Sequence, residues 1–125
     1  MIYLDVEDLL QIAGRTLGAS PLVRDMGLLG ASAARPQTNV FGYEPYKTLG
    51  AKAAALLVSL TMNHALQDGN KRLALAAAEV FIFINTDGAL LEMTNDEKYH
   101  LVMGVARGEL DVDDVAAKFW EAGIP

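Results

Sequence analysis

No cysteine occurs in the 125 residues, which excludes disulfides, thiolate metal sites and a cysteine nucleophile. Positive charge is scarce as well: 10 Lys and Arg face 16 Asp and Glu, a formal net charge of −6. Broad nucleic-acid binding needs a basic face to neutralise phosphates, so no direct nucleic-acid partner is expected. A long apolar run is also missing. The most apolar stretch, Leu73 to Ile84, is interrupted by Glu79 and is too short to span a bilayer. The start, Met1-Ile2-Tyr3-Leu4-Asp5, lacks the basic region of a signal peptide. A soluble, cytoplasmic protein without a membrane partner is expected. Repeats, low-complexity segments and long linkers are absent.

What is present is ample apolar material. Hydrophobic residues make up 52% and charged ones 21%, enough for a real core. The length suits one domain, residues 1–125, with no separate regulatory module.

Periodicity predicts an all-α fold of about six helices. Val6, Leu9, Leu10, Ala13 and Leu17 share a helical face that Asp5 can cap and Gly18 can end. A second helix is predicted from about Leu22 to Ala34, stopped by Arg35-Pro36, because proline disfavours helix in the residue before it. Gln37 to Tyr46 carries no helical period and reads as an irregular loop with a short hairpin around Val40-Phe41-Gly42. Thr48 can cap a third helix, whose stripe of Leu49, Ala53, Leu56, Leu57 and Leu60 reaches about His64. Leu73, Ala76, Ala77, Val80, Phe81 and Ile84 mark a fourth helix, apolar enough to be central. Leu90 to Met93 reads as a short extended piece. Thr94-Asn95-Asp96-Glu97 is a capping box before a helix ending at Gly108. Asp111 caps the last helix, which turns Val112, Val115, Ala116 and Phe119 inward.

The chemistry concentrates in His64-Ala65-Leu66-Gln67-Asp68-Gly69-Asn70-Lys71-Arg72. A helix starting near Asn70 has unpaired N–H groups and a dipole that favours an anion. Gly69 lets backbone approach closely, and Lys71 and Arg72 add charge-assisted contacts to phosphate oxygens. Asp68 would repel phosphate unless a Mg²⁺ ion sits between them, and Mg²⁺ takes oxygen ligands of both kinds. His64 can then accept a proton from an incoming hydroxyl. Taken singly, these residues have plainer explanations. His64 follows Leu60 by four and would continue the core stripe as a buried histidine. Asp68-Gly69-Asn70 would be an ordinary interhelical turn. Two cations at a helix start oppose its dipole, however, and a bound anion resolves that conflict. His100 stands alone on its helix and reads as surface or packing.

The segment resembles the Fic/Doc signature, His-x-Phe-x-Asp/Glu-Gly-Asn-Gly-Arg, in the Doc variant with lysine for the second glycine. Asp25-Met26-Gly27-Leu28-Leu29, running on to Arg35-Pro36, is similar to the Leu-Leu-Glu-Ser-Ala-Leu-Ala-Arg-Pro stretch of Doc-like proteins. The Gly108-Glu109-Leu110-Asp111 end also fits, so the resemblance covers nearly the whole chain.

The resemblance implies a compact helical bundle built around a helix–loop–helix active-site unit. It implies His64 as the base for the target hydroxyl and Asp68 as the Mg²⁺ ligand. Gly69 and Asn70 match the phosphate-cradling turn, with Lys71 and Arg72 as the phosphate-binding pair. The cofactors implied are ATP and Mg²⁺. The implied protein is the toxin of a toxin–antitoxin pair, a kinase that modifies a threonine of elongation factor Tu and halts translation. Its other implied partner is a cognate antitoxin, of the Phd type or another, docking through an apolar helical segment. The Gln37–Tyr46 loop would match the flap that holds a target segment by strand-like pairing.

The chain departs from the pattern at Leu66 for the motif phenylalanine, and at Ala76, Met62 and Gly30 where relatives carry asparagine, arginine and glutamate. Fewer polar groups therefore surround the motif. Transfer of AMP or another nucleotide to a protein hydroxyl is the alternative chemistry. A catalytically quiet antitoxin-binding co-repressor is the alternative class.

Overall fold

Helix starts follow the capping residues. In the computed structural model, which describes residues 1–125, Asp5 caps α1 (Val6–Leu17) and Asp25 caps α2 (Met26–Ala34). Thr48 caps α3 (Leu49–Asn63), Thr94 caps α5 (Asn95–Ala106) and Asp111 caps α6 (Val112–Glu121). Each of these side chains accepts the N–H of the residue three further on, satisfying a group the helix leaves open. Asp8, Glu97 and Asp114 reach back to close full capping boxes. One helix is the exception. α4 (Asn70–Ile84) starts behind Gly69 and has no side-chain cap at all.

The architecture is all-α, as the periodicity predicts: six α-helices, a single 3-10 turn at Arg35–Gln37 (η1), and isolated bridges in place of a sheet. No helix is long and apolar enough to cross a membrane. α3 and α4 form the most extensive helix pair, with α1 and α5 against α4 and α6, α2 and η1 against α3.

The most enclosed helix is α3 and not α4. Gly50, Ala53, Ala54 and Ala55 are buried on it, and such small side chains let neighbours approach on several faces. A Cβ on Gly50 would lie 3.2 Å from the carbonyl oxygen of Pro125. Leu56, Leu57 and Leu60 fill the space between helices, and replacing any one by alanine costs about 2–5 kcal/mol. α4 buries Leu73, Ala77 and Phe81, but Ala76, Val80 and Ile84 are only partly covered and Phe83 is 50% exposed.

One boundary is corrected. α2 begins at Met26, not Leu22, because residues 22–25 bond across to the loop before α4. It ends at Ala34 as expected, and Arg35 (φ −57°, ψ −41°) opens η1. Leu90 to Met93 lies outside the helices and pairs with no neighbouring backbone.

The 37–46 loop is closed at its root. Arg35 Nε donates to the Tyr46 hydroxyl at 3.0 Å, with the guanidinium 5.6 Å from that ring centre. Buried Lys52 donates to the Pro36 carbonyl at 3.1 Å and lies over the Tyr3 ring. Beyond the root, Val40 and Tyr43 bridge across Phe41-Gly42, the predicted hairpin. Both turn residues have positive φ, 52° and 89°, as a type I′ turn requires. Val40, Phe41 and Tyr43 all point into solvent.

Candidate active site

The end of α3, the start of α4 and the segment between α1 and α2 meet at one loop. The α1–α2 segment acts as a strap. Arg24 and Asp25 donate their backbone N–H groups to the Ala65 carbonyl at 2.8 and 3.0 Å, and Gln67 donates to the Leu22 carbonyl at 2.9 Å. Val23 and Leu66 form the bridge between the two chains. Leu66, where the signature has phenylalanine, is buried.

His64 ends α3 in the left-handed region (φ 51°, ψ 45°), a conformation costing about 1–2 kcal/mol for a residue with a side chain. Arg24 supplies the compensation by donating from Nε and Nη2 to the His64 carbonyl. Asn63 anchors the helix end by donating to Ser32 Oγ at 3.0 Å. The left-handed turn takes His64 off the core stripe, so its side chain is exposed instead of buried. The core-histidine explanation fails on that point.

Gly69 starts α4 with φ 87°. A Cβ there would lie 2.6 Å from Leu17, so glycine answers both the dihedral and the space. Asp68 Oδ1 accepts the Gly69 N–H at 2.9 Å, which leaves its second oxygen free. Asn70 uses its amide structurally: Oδ1 accepts from the Leu66 N–H and Nδ2 donates to the Leu66 carbonyl, both at 2.9 Å. What Asn70 offers outward is therefore its backbone N–H.

The N–H groups of Asn70, Lys71 and Arg72 find no acceptor in the chain. Lys71 and Arg72 are exposed, and the chain's one ion pair is elsewhere, Lys98 to Glu79 at 3.0 Å. The structure thus brings His64, Asp68, Gly69, Asn70, Lys71 and Arg72 onto one short loop and helix start. No cluster of three or more ligating side chains forms there or elsewhere. Asp68 alone suits Mg²⁺, which characteristically takes one or two carboxylates and fills its shell with water and substrate phosphates.

Sequence reading did not single out Arg24 or Asn63, and it placed Leu17 only on the apolar face of α1. Arg24 lies 40 residues from the carbonyl it holds, and nothing local marks it.

Fold and loop together define the class: an all-α protein organised around a helix–loop–helix unit whose second helix starts without a side-chain cap. A sequence model of the Fic/DOC family matches residues 3–82. The chain is 47% identical over 116 residues to Toxin Doc of Mycolicibacterium smegmatis, covering 93% of this chain and 89% of that one. It is 33% identical over 99 residues to Protein kinase doc of Escherichia phage P1, covering 79% and 75%. The chain belongs to the Fic/DOC family.

Proposed function

We propose that this protein is the toxin of a toxin–antitoxin pair and acts as a protein kinase, using ATP and Mg²⁺ to phosphorylate a hydroxyl. The observation that carries the reading is the uncapped start of α4. Three unpaired N–H groups and two unpaired cations converge there, next to an exposed histidine. In a protein whose other α-helices are all capped by side chains, an anion is what completes this one.

In the reaction, the target hydroxyl oxygen attacks the γ-phosphorus. The bond from that phosphorus to the β–γ bridging oxygen breaks, and ADP leaves. The hydroxyl proton passes to the His64 ring, which makes no hydrogen bond within the chain and is free to take it. The free N–H groups of Asn70 to Arg72, with the Lys71 and Arg72 side chains, stabilise charge on the phosphates. Asp68 would hold Mg²⁺ jointly with phosphate oxygens, and the ion supplies charge neutralisation there.

The kinase name of the phage relative supports phosphate transfer, and the toxin name of the mycobacterial one supports a paired antitoxin. The antitoxin docks through an apolar helical segment. The 39–45 hairpin, exposed along its length, is suited to pair with an extended target segment. By family resemblance the target is a threonine of elongation factor Tu, with arrest of translation in the cytoplasm as the outcome.

The test is incubation of the purified chain with ATP, Mg²⁺ and elongation factor Tu, and separately with cell extract, followed by mass spectrometry. Phosphothreonine on the factor is expected. An unmodified factor would reject the target, and no modified protein in the extract would reject the activity.

A further inference from the structure

Lys52 is 7% exposed, the one charged side chain that the fold buries. No carboxylate answers it, since the chain's one ion pair joins Lys98 to Glu79. Taking an ammonium out of water without a counter-charge is unfavourable, so a lysine in this place needs a reason. Its contacts supply one. From the first turn of α3, Nζ donates to the Pro36 carbonyl at 3.1 Å and lies 5.4 Å from the centre of the Tyr3 ring. Tyr3 in turn stacks on buried Phe81 of α4, with ring centres 6.0 Å apart. A contiguous line of contacts therefore runs from the core of α4 through Tyr3 and Lys52 to Pro36, which is itself buried at the root of the 39–45 hairpin.

We infer that Lys52 is a positioning residue for the protein target: it holds the hairpin root against α3 and so sets where the hairpin meets the segment that carries the acceptor hydroxyl. The inference rests on the target-pairing role given to the hairpin above. Lys52 makes no hydrogen bond to the His64–Arg72 loop, so its effect falls on the target and not on the nucleotide.

The hairpin has little of its own to hold it. Its one bridged pair is Val40 with Tyr43, each donating its N–H to the other's carbonyl, at 2.9 and 3.0 Å. Val40, Phe41 and Tyr43 are exposed, so no apolar packing fastens the tip to the body. A two-stranded hairpin standing alone is marginal in water at best. Its order must come from the root. There Thr38 donates from its N–H and its hydroxyl to the Arg35 carbonyl, a bond local to the turn. The Arg35–Tyr46 bond joins the two arms of the loop to each other, and the Lys52–Pro36 bond joins the loop to α3. A hairpin ordered in advance spares the target segment part of the entropy lost on binding, which strengthens binding without touching the chemical step.

Lys52→Met keeps the apolar stem and removes the ammonium, and two measurements on the full chain test the inference with it. Hydrogen exchange at the Val40 and Tyr43 amides needs no target. It should be about 10-fold faster in the variant, the change expected when one hydrogen bond to a charged group is lost. Steady-state phosphorylation of elongation factor Tu should show KM for the factor raised by a similar factor, with kcat and KM for ATP unchanged. A thermal melt checks that the fold is intact. Tyr46→Phe, at a half-buried position, removes the acceptor of the other root bond and should shift both readouts the same way. Exchange as slow as in the wild type, or an unchanged KM for the factor, would overturn the inference. So would an equal loss in kcat or in ATP affinity, which marks general loosening and not positioning. A wild-type chain that leaves the factor unmodified would overturn the target reading and, with it, the task given to Lys52.

Discussion

The guanidinium of Arg24 closes onto the carbonyl oxygen of His64, with Nε at 2.8 Å and Nη2 beside it, across 40 residues of sequence. With the backbone bonds to Ala65, this contact ties the α1–α2 strap to the left-handed end of α3 and so should set where the histidine ring points. Arg24→Ala should leave the helical fold in place, since Arg24 is exposed, and lower stability by about 1 kcal/mol. Transfer should fall by about 10- to 100-fold, the usual result of misplacing a reacting group by an ångström. The kinetic signature is a fall in kcat at unchanged ATP affinity. Unchanged kcat in Arg24→Ala would show that the strap does not position His64.

His64→Asn separates the ring's chemistry from its backbone role. Asparagine tolerates the left-handed region better than alanine, so His64→Asn should melt closer to the wild type than His64→Ala does. Both variants should lose about 10²–10⁴-fold in transfer, the range for removal of a general base. Thermal melts beside single-turnover rates measure the two effects. Activity retained in His64→Asn would remove the base role.

Gly69→Ala meets two obstacles, a φ of 87° and a Cβ 2.6 Å from Leu17. Destabilisation of roughly 1–3 kcal/mol is expected from strain and overpacking together. Adding Leu17→Ala relieves the contact but not the dihedral. The double variant should therefore show a favourable coupling in a denaturant-melt cycle, without full recovery. Strict additivity would mean that Leu17 yields freely and only the dihedral matters.

Local signals in the sequence were enough for the helices and the chemically dense segment. Asp5, Thr48, Thr94 with Glu97, and Asp111 each cap the helix they precede, because capping depends on residues three apart. The uncapped start at Asn70 was equally legible, since Gly69 has no side chain to cap with. What escaped reading was set by distant partners. Leu22 to Asp25 look helical on their own but are drawn into bonds with Ala65 and Gln67. Arg24 carries no sign that it will cap α3. Asn70 was placed in a phosphate-cradling turn, but spacing alone does not reveal that its amide is held by Leu66 through two hydrogen bonds.

Acid sensitivity should come from the capping boxes. The backbone N–H and hydroxyl of Thr94 hold the Glu97 carboxyl below its ordinary range, and the backbone N–H of Asp114 does the same for Asp111. A depressed carboxylate pKa gives stability that is present above the unfolded value, about 4, and is lost as pH falls through the lower folded value. Stability should therefore hold from neutrality to about pH 5 as far as these groups are concerned, and decline below about pH 4. Glu97→Gln with Asp111→Asn keeps both hydrogen bonds and removes both titrations. Chemical melts from pH 2 to 7 should show a shallower acid decline in the double variant, and an unchanged slope would refute the assignment.

The central claim is that the γ-phosphate, not AMP, passes to the target, and Lys71 bears on it most directly. Where the family signature has glycine, this lysine places a charged side chain at the helix start, and it should influence which phosphate settles there. Two parallel reactions with the wild-type chain, Mg²⁺ and target decide the matter, one with ATP labelled on the γ-phosphate and one with label on the α-phosphate. The account predicts that γ label appears on the target hydroxyl and α label stays in solution, with Lys71→Gly weakening the γ transfer. Label from the α-phosphate on the target would contradict it and make the protein a nucleotidyl transferase.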